Sequence, residues 1–580
     1  MLDLSEIDNR FPIRVDGKAS YREGQREAIE FTLNAFNNGK KIVILEGPTG
    51  SGKSAIGMTV VDMFDKSYYL TATKILQDQL IKEFGDSVVE LKGRNAYPCT
   101  FYTRFGPQMV TRGIWTTQQL NSYLEKNLGC NEGFCKTKTN KTQSNSKFKC
   151  LKCFTPDGPN GNRRPSGDLE LLPLGMRYSA CPYYEQVYQA VNSRKVTMNF
   201  SSFLFQTQMT KRFDEPRDVM VIDESHQVES QLLDFVSLTI SDAHLSQYGI
   251  YIPKLDNPLE YAVWFEDSKI GEHIYEVIEQ ARENDQFWLE DELSRTLKKY
   301  KMFLAHVQNT EAEWIHEYEE TQTGSRKVTL KPVFVHGTAH QLLFKYAHKI
   351  VMMSATILDV DIMCKSLGIN REHVAAIRLK NRFPVENRPI YLKPVAKMTG
   401  GKQGMGTWGP ELVKGVNEIV DKYIGKKGII HTHNFAIQEL LKVRCVPWVK
   451  SRFLFQQDFR DKTEMLEEHA RRIDSVIVAP AMHEGIDLHG DLSRFQIICK
   501  IPYANCFDNE QLARRVEIDR KYYIWITALK LVQSYGRSIR SETDYADTYI
   551  LDESIYKFMK DAHKMLPSWF TEAINETPPF

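Results

Sequence analysis

One stretch near the start of the chain joins a short apolar run, a glycine-rich loop and an amphipathic segment. The run KIVILE at 41–46 is followed by GPTGSGKS at 47–54, and SAIGMTVVDMF continues from 54 to 64. This order of strand, loop and helix is the context in which a P-loop binds phosphate. The sequence therefore predicts an α/β fold whose sheet presents a nucleotide-binding loop at its carboxyl edge.

The loop contains the groups that a bound nucleoside triphosphate needs. Glycines allow backbone N–H groups to surround the β-phosphate, Lys53 neutralises charge on the β- and γ-phosphates, and the Ser54 hydroxyl is placed for Mg²⁺. The predicted phosphate-binding residues are Gly47, Pro48, Thr49, Gly50, Ser51, Gly52, Lys53 and Ser54.

A second apolar run, DVMVIDE at 218–224, ends in two adjacent carboxylates. Ligands of α/β sheets bind at the carboxyl ends of the strands, so both carboxylates are expected in the ligand site. We expect Asp223 to hold Mg²⁺ through water and Glu224 to orient and deprotonate the attacking water.

The segment QSYGRSIR at 533–540 places Gln533, Arg537 and Arg540 at four- and three-residue spacing, which predicts one face of a helix. Two guanidinium groups on one face suit a γ-phosphate held across a cleft, where an arginine can accelerate hydrolysis by several orders of magnitude. A basic helix face exposed to solvent is the alternative interpretation.

Apolar runs recur along the chain in two sets, which predicts two α/β domains with parallel sheets in tandem. The sets lie at 41–46, 67–73, 218–224 and 349–356, and at 428–433, 474–480, 495–502 and 547–553. Two long insertions interrupt the first set. The predicted units are a first domain at 1–98, 182–227 and 336–385, a cysteine-rich insertion at 99–181, a mainly helical insertion at 228–335, and a second domain at 386–580.

Bulk properties exclude some classes of protein. No stretch of the 580 residues approaches the roughly 20 apolar residues of a membrane span, so no membrane association is expected. The first residues, MLDLSEIDNR, contain no recognisable targeting signal, which predicts a cytoplasmic location with the nucleus still open. The net charge of +1 does not indicate a nucleic-acid binder, so local charge has to do so.

In this order, the three sites resemble those of superfamily 2 helicases, and within them the XPD/DinG type of iron–sulfur helicase. Further matching stretches are YREGQREAI at 21–29, TATKILQDQL at 71–80, SAT at 354–356, FPVENR at 383–388 and HEGIDLHG at 483–490. The resemblance covers nearly the whole chain and implies two RecA-like motor domains, with an arch-like second insertion. DESH in place of DEAH, Ala546, and the stretch IPYANCFD depart from the family pattern without removing a catalytic group.

The resemblance also implies roles that the spacing alone does not give. It implies that Gln25, with Arg22 nearby, contacts adenine, and that the SAT stretch couples the ATP state to DNA. It further implies that Gly485 and Asp487 line the nucleotide cleft between the domains.

Six of the ten cysteines lie in the first insertion, and in a reducing compartment such clustering favours a metal over disulfides. By resemblance, the ligands of a [4Fe–4S] cluster are Cys99, Cys150, Cys153 and Cys181, with Cys130 and Cys135 as alternatives. Spacing alone also allows a zinc site of Cys130, Cys135, Cys150 and Cys153.

The same insertion has a local excess of positive charge. Between positions 136 and 164 it holds eight Lys or Arg and one Asp, which predicts either phosphate binding that weakens with salt or a solvated loop. With the resemblance, the expected cofactors and partners are ATP, Mg²⁺ and single-stranded and forked DNA, with a monomeric motor moving 5′ to 3′. Two other functions stay open: a nucleic-acid translocase or remodeler, directed to DNA or to RNA, that moves without processive unwinding, and a zinc-stabilised nucleic-acid binding protein with weak ATPase.

Overall fold

The structure is a computed structural model. It describes residues 2–98, 107, 110–111, 113, 116–125, 182–210, 212–284, 287–307, 313–321, 324–398, 401–480, 488, 490–506, 509–539 and 541–575. The six cysteines of the first insertion, its basic stretch at 136–164, Gly485, Asp487 and Arg540 lie outside the described residues.

The strands form two large parallel sheets, one three-stranded antiparallel sheet and one hairpin. Their bounds in chain order are β1 Arg14–Val15, β2 Lys18–Ala19, β3 Ile42–Glu46, β4 Ser67–Thr71, β5 Val89–Glu90, β6 Lys195–Asn199, β7 Arg217–Ile222, β8 Leu238–Ser241, β9 Trp314–Glu320, β10 Arg326–Pro332, β11 Ala347–Ser354, β12 Val374–Arg378, β13 Ile390–Ala396, β14 Gly428–His431, β15 Phe453–Phe455, β16 Val476–Ala479, β17 Phe495–Ile498, β18 Asp547–Asp552 and β19 Ile574–Asn575.

Helices connect these strands. The α-helices are Ile7–Arg10, Gln25–Asn37, Lys53–Asp62, Lys74–Phe84, Thr117–Glu125, Pro182–Asn192, Phe200–Leu204, Val228–Val236, Pro258–Asp267, Ile270–Glu283, Phe287–Val307, Ala339–Leu342, Val360–Leu367, Gly401–Lys422, Phe435–Arg444, Pro447–Lys450, Lys462–Arg471, Glu510–Ile518, Arg520–Tyr535, Ser554–Ala562 and Ser568–Thr571. Within the described ranges, none of the helices combines the length and hydropathy that crossing a bilayer requires.

The first large sheet belongs to what we call the first domain, and its strands lie in the order β12-β3-β11-β7-β4-β6-β5, all parallel. Residues of β3 alternate between two apolar cores, with Ile42 and Ile44 facing one and Val43 and Leu45 the other. Because both faces are covered, the strands are continuous apolar runs. The four runs predicted for this sheet are confirmed as β3, β4, β7 and β11.

The second large sheet defines the second domain, with the parallel order β15-β16-β14-β17-β18-β13-β19. The four runs of the second predicted set are confirmed as β14, β16, β17 and β18. The prediction of two α/β domains with parallel sheets is therefore correct. The helix Arg520–Tyr535 joins the two, since its residues Trp525 and Val532 share one apolar core with Met352 and Ile357 of the first domain.

Between β7 and β11 the chain forms a separate unit with its own apolar core. Three helices, Pro258–Asp267, Ile270–Glu283 and Phe287–Val307, pack around residues such as Phe265 and Phe303. The antiparallel sheet β8-β10-β9 completes this unit and was not predicted. The prediction of a mainly helical insertion is thus correct for its helices and missed its sheet.

Candidate nucleotide site between the two domains

The predicted P-loop connects β3 to a helix that begins at Lys53. Gly50 and Gly52 have φ angles of 81° and 75°, in the left-handed region that glycine adopts without strain. A Cβ on Gly52 would also overlap the side-chain amide of Gln25. Lys53 Nζ donates to the carbonyl oxygen of Gly47 at 2.9 Å, so the ammonium group lies against the loop. The loop ends at a helix N-terminus with this cation beside it, which is a suitable site for phosphate.

The two predicted carboxylates follow the end of β7. Glu224 has φ 51° and ψ 45°, a left-handed conformation that is uncommon for a residue with a side chain and that often occurs at functional sites. Asp223 Oδ1 accepts a hydrogen bond from the Glu224 backbone N–H at 3.0 Å. Burial and the neighbouring Glu224 carboxylate raise the pKa of Asp223 to about 6.

A buried tyrosine lies under this pair of carboxylates and the P-loop. The Tyr69 hydroxyl donates to Asp223 Oδ2 at 3.4 Å. Tyr69 is 0% exposed, and burial together with Asp223 raises the pKa of its hydroxyl well above the ordinary value. The Ser54 hydroxyl and the Asp223 carboxylate are the hard oxygen donors that Mg²⁺ prefers, and a cation would supply the positive charge that a buried carboxylate needs. The donor set therefore fits Mg²⁺.

Arg22 and Gln25 hold the P-loop from its outer side. Arg22 Nη1 donates to the Gly50 carbonyl oxygen at 2.6 Å, and Gln25 Nε2 donates to the Gly52 carbonyl oxygen at 3.1 Å. Gln25 Oε1 accepts from the Arg22 backbone N–H at 2.7 Å, and the Gln25 side chain is fully buried. Both ends of this amide are thus bonded within the protein. The adenine contact of Gln25 stays a prediction, and it requires the amide to turn.

A pocket of about 350 Å³ lies beside the P-loop and is lined by both domains. Its lining residues are Arg22, Pro48, Thr49, Gly50, Ser51, Lys380, Asn381, Arg382, Phe383, Ser541, Glu542 and Thr543. Arg382 and Glu542 form an ion pair in this lining. The volume is in the range of small-molecule sites, and the position next to the P-loop suits the nucleoside part of a nucleotide.

Gln533 lies on the helix Arg520–Tyr535 of the second domain. The prediction that Gln533, Arg537 and Arg540 share one helical face is wrong, because the helix ends at its C-cap, Gly536. Arg537 therefore lies in the turn after the helix and is half-buried, whereas Arg540 lies outside the described residues.

A path of close polar contacts links the carboxylates of the first domain to Gln533. His226 Nδ1 lies 3.4 Å from Glu224 Oε2 and 2.8 Å from Ser354 Oγ. Ser354 Oγ also accepts from the Thr356 backbone N–H at 3.1 Å. Thr356 Oγ1 accepts from Gln533 Nε2 at 3.1 Å, which completes the path. A displacement of Gln533 with the second domain would therefore change the contacts along this path, which ends at the Glu224 carboxylate.

A buried ion pair forms a second contact between the domains. Arg515 is 3% exposed and pairs with Glu229, which is 7% exposed and lies just after the carboxylates in the chain. The Tyr522 hydroxyl donates to Glu229 Oε2 at 3.0 Å, and the Arg515 guanidinium lies 4.0 Å from the Tyr522 ring centroid. This pair holds the helix Glu510–Ile518 against the helix Val228–Val236, whose apolar residues pack in the same core as Met352 of the first domain.

Several of these residues were not predicted from the sequence. His226 had a usable signal, since it stands in the stretch DESH beside the predicted carboxylates. Tyr69 lies within an apolar run and is indistinguishable from a core residue by pattern. Glu229 and Arg515 carry no motif, and they are 286 positions apart.

Comparisons with known proteins find similarity in both domains of this chain. The family model described as type III restriction enzyme, res subunit, matches residues 18–245, and the helicase C-terminal domain matches residues 430–573. A curated relative, ATP-dependent DNA helicase CHL1 of Debaryomyces hansenii, is 28% identical over 152 residues, 23% of this chain and 18% of the relative. CHL1 of Candida albicans is 30% identical over 118 residues, 17% of this chain and 14% of the relative. The chain thus aligns with less than a fifth of these relatives' length.

Solved structures share the fold over almost the whole chain. An XPD helicase is 13% identical with a TM-score of 0.59, covering 96% of this chain and 99% of that one. Xpd4 of S. tokodaii is 12% identical with a TM-score of 0.52, covering 96% of this chain and 100% of that one.

Fold and site together define a protein with a P-loop, two RecA-like domains and a candidate nucleotide site between them. The match to the helicase C-terminal model, the CHL1 stretches and the XPD-like fold support the predicted resemblance to superfamily 2 helicases of the XPD type.

Proposed function

We propose that this protein is an ATP-dependent DNA helicase that moves along single-stranded DNA from 5′ to 3′ and separates duplex strands. The observation that carries the proposal is the polar path from Glu224 in the first domain to Gln533 in the second. Because of this path, events at the γ-phosphate and the position of the second domain depend on each other. The partial likeness to curated DNA helicases supports DNA as the substrate.

Each residue of the site has a definite task in the proposed reaction. Lys53 and the backbone N–H groups of the loop bind the phosphates, and Ser54 and Asp223 would hold Mg²⁺. Mg²⁺ held by these two residues would neutralise negative charge on the phosphates. Glu224 accepts a proton from the attacking water, and the adjacent His226 orients its carboxylate.

The second domain completes the site when the cleft closes. Gln533 contacts Thr356, and Arg537, in the turn that follows, is proposed to reach the γ-phosphate. Arg540 is proposed for the same role from the sequence. Closure with ATP and reopening after hydrolysis would move a bound single strand by a small step in each cycle. Gly485 and Asp487 stay predicted cleft residues.

The proposal includes an iron–sulfur cluster in the first insertion, and it is supported by the sequence resemblance. Its proposed ligands are Cys99, Cys150, Cys153 and Cys181, with Cys130 and Cys135 as alternatives. The cluster would fold the insertion into a rigid wedge, because deprotonated thiolates are held together only when the metal is bound. Iron and zinc analysis of protein purified without oxygen tests this: about four irons per chain support the cluster, and one zinc supports the alternative site.

ATP hydrolysis with and without single-stranded DNA tests the activity itself. We expect DNA to stimulate the wild type, Lys53→Ala to lose ATP binding, and Glu224→Gln to bind ATP while losing at least roughly 100-fold in kcat. Stimulation by RNA and not by DNA would favour the RNA remodeler. DNA binding that is unchanged by ATP or by Lys53→Ala, with no stimulation, would favour the zinc-stabilised binding protein. Cytoplasmic location and the monomeric state remain predictions from the sequence.

A further inference from the structure

The loop that follows Thr356 is fixed to the strand that carries the P-loop. Glu46 Oε1 accepts hydrogen bonds from the backbone N–H groups of Ile357 and Leu358, each at 3.2 Å. Glu46 is the last residue of β3 and directly precedes the P-loop residue Gly47. Leu358 has φ 63°, which is strained for a residue with a side chain, so the surrounding contacts must hold the loop in this conformation.

Arg378 completes this attachment. Its Nε donates to Glu46 Oε2 at 2.6 Å, and its Nη2 donates to the Leu358 carbonyl oxygen at 3.0 Å. Glu46 is 4% exposed, so its carboxylate depends on these donors in place of water. The loop and the P-loop strand therefore move as one body.

The second domain holds the same loop through Trp525. The indole Nε1 donates to the Ile357 carbonyl oxygen at 2.8 Å, with Trp525 3% exposed and Ile357 0% exposed. Gln533 stands eight positions later on the same helix, about two turns away and on the same face. One face of one helix thus holds the loop at two points, at Thr356 and at Ile357.

We propose that Trp525 is a positioning residue that transmits movement of the second domain to the P-loop through the Ile357 carbonyl and the Glu46 carboxylate. The inference rests on the proposed function, since it names a coupling residue of that motor. A shift of the helix that carries Trp525 displaces the Ile357 peptide. Glu46, bonded to the two peptides of this loop, passes the displacement to the strand that ends at the phosphate site.

A core role for Trp525 has to be separated from this coupling role, because the indole also packs in the apolar core shared by the domains. Trp525→Phe keeps an aromatic ring and removes the N–H donor. The matched control is Tyr523→Phe on the same helix, whose hydroxyl donates to the Ala504 carbonyl oxygen at 2.9 Å within the second domain. Each variant loses one hydrogen bond. The bond of Trp525 joins the two domains, whereas the bond of Tyr523 lies within the second domain.

The measurement is the coupling between nucleotide and DNA. The Kd for a fluorescent single-stranded oligonucleotide is determined by anisotropy without nucleotide and with a non-hydrolysable ATP analogue, and the ratio of the two values is the coupling factor. We expect the coupling factor of Trp525→Phe to lie roughly 2- to 12-fold closer to one than that of the wild type, because this is the change in an equilibrium constant that one hydrogen bond typically produces. Tyr523→Phe should keep the wild-type ratio. Trp525→His, which places a ring nitrogen at the equivalent position, should retain more of the ratio than Trp525→Phe.

Three results would overturn the inference. One is a wild-type ratio in Trp525→Phe, and another is an equal loss in Tyr523→Phe. A third is a Trp525→His variant that folds and couples no better than Trp525→Phe. A wild-type ratio of one would instead overturn the proposed function, and the inference with it.

Discussion

The buried pair of Glu229 and Arg515 allows a stability prediction worked from the structure. Glu229→Gln removes the carboxylate and leaves the Arg515 charge in a site where it is 3% exposed. Breaking a buried ion pair by removing one partner costs roughly 3–5 kcal/mol, since the remaining charge has lost both water and its counter-ion. We expect Glu229→Gln to lower the free energy of unfolding by that amount. The double variant Glu229→Gln with Arg515→Met should recover most of the loss.

An exposed pair on the same helix provides the control. Arg514 Nη2 lies 2.5 Å from Glu313 Oε1, and the two side chains are 47% and 36% exposed. Water screens this pair, so Glu313→Gln should cost less than about 1 kcal/mol. The variants are compared by urea unfolding, followed by circular dichroism. The slope of the free energy of unfolding against urea concentration should be the same in all of them, so that the free energies can be compared. Equal losses in Glu229→Gln and Glu313→Gln, or a double variant whose loss is the sum of its two single variants, would refute the reasoning.

Other perturbations test other parts of the account. Tyr69→Phe keeps the buried ring but removes the hydroxyl that donates to Asp223, so the Mg²⁺ concentration for half-maximal ATPase should rise roughly 2- to 12-fold; an unchanged Mg²⁺ titration would contradict this. Arg537→Ala should lower kcat at least roughly 100-fold with little change in nucleotide affinity. A kcat equal to that of the wild type would show that Arg537 does not act at the γ-phosphate. Burial lowers the pKa of His469 to about 4 from an ordinary 6.5, so the stability it provides is present above pH 6.5 and lost as the pH falls toward 4. Between pH 7 and pH 5, the free energy of unfolding should therefore fall by about 2 kcal/mol more in the wild type than in His469→Gln. Equal falls in the two proteins would show that the histidine is not responsible.

Local sequence predicts the phosphate site well because its chemistry is local. The P-loop and the Asp223–Glu224 pair each follow one apolar run, and a parallel sheet with both faces covered leaves such runs visible. The same reason explains why all eight predicted strand runs became strands of the two large sheets.

The sequence was less informative about where a helix ends and about the strands of the second insertion. The four-residue spacing of Gln533 and Arg537 suggested one helix, but the intervening Gly536 ends it. The antiparallel sheet of the second insertion was overlooked, although β10 alternates apolar Val328 and Leu330 with polar neighbours, a pattern typical of a strand.

Contacts between the domains could not be predicted from one sequence. Trp525 and Ile357 are 168 positions apart, and Glu229 and Arg515 are 286 apart. No periodicity connects residues at such separations, because the packing of whole domains brings them together. Gln25 is a related case, since its motif is visible but the direction of its amide depends on the folded P-loop.

A strand-displacement assay tests whether this protein separates the strands of a DNA duplex. Two DNA duplexes are compared, each with one labelled strand. One carries a 5′ single-stranded tail and the other a 3′ single-stranded tail. Lys53→Ala is the control. We predict ATP-dependent release of the labelled strand by the wild type from the 5′-tailed substrate, and none by Lys53→Ala. ATP hydrolysis that DNA stimulates without any release of the strand would contradict the helicase and leave a translocase in its place.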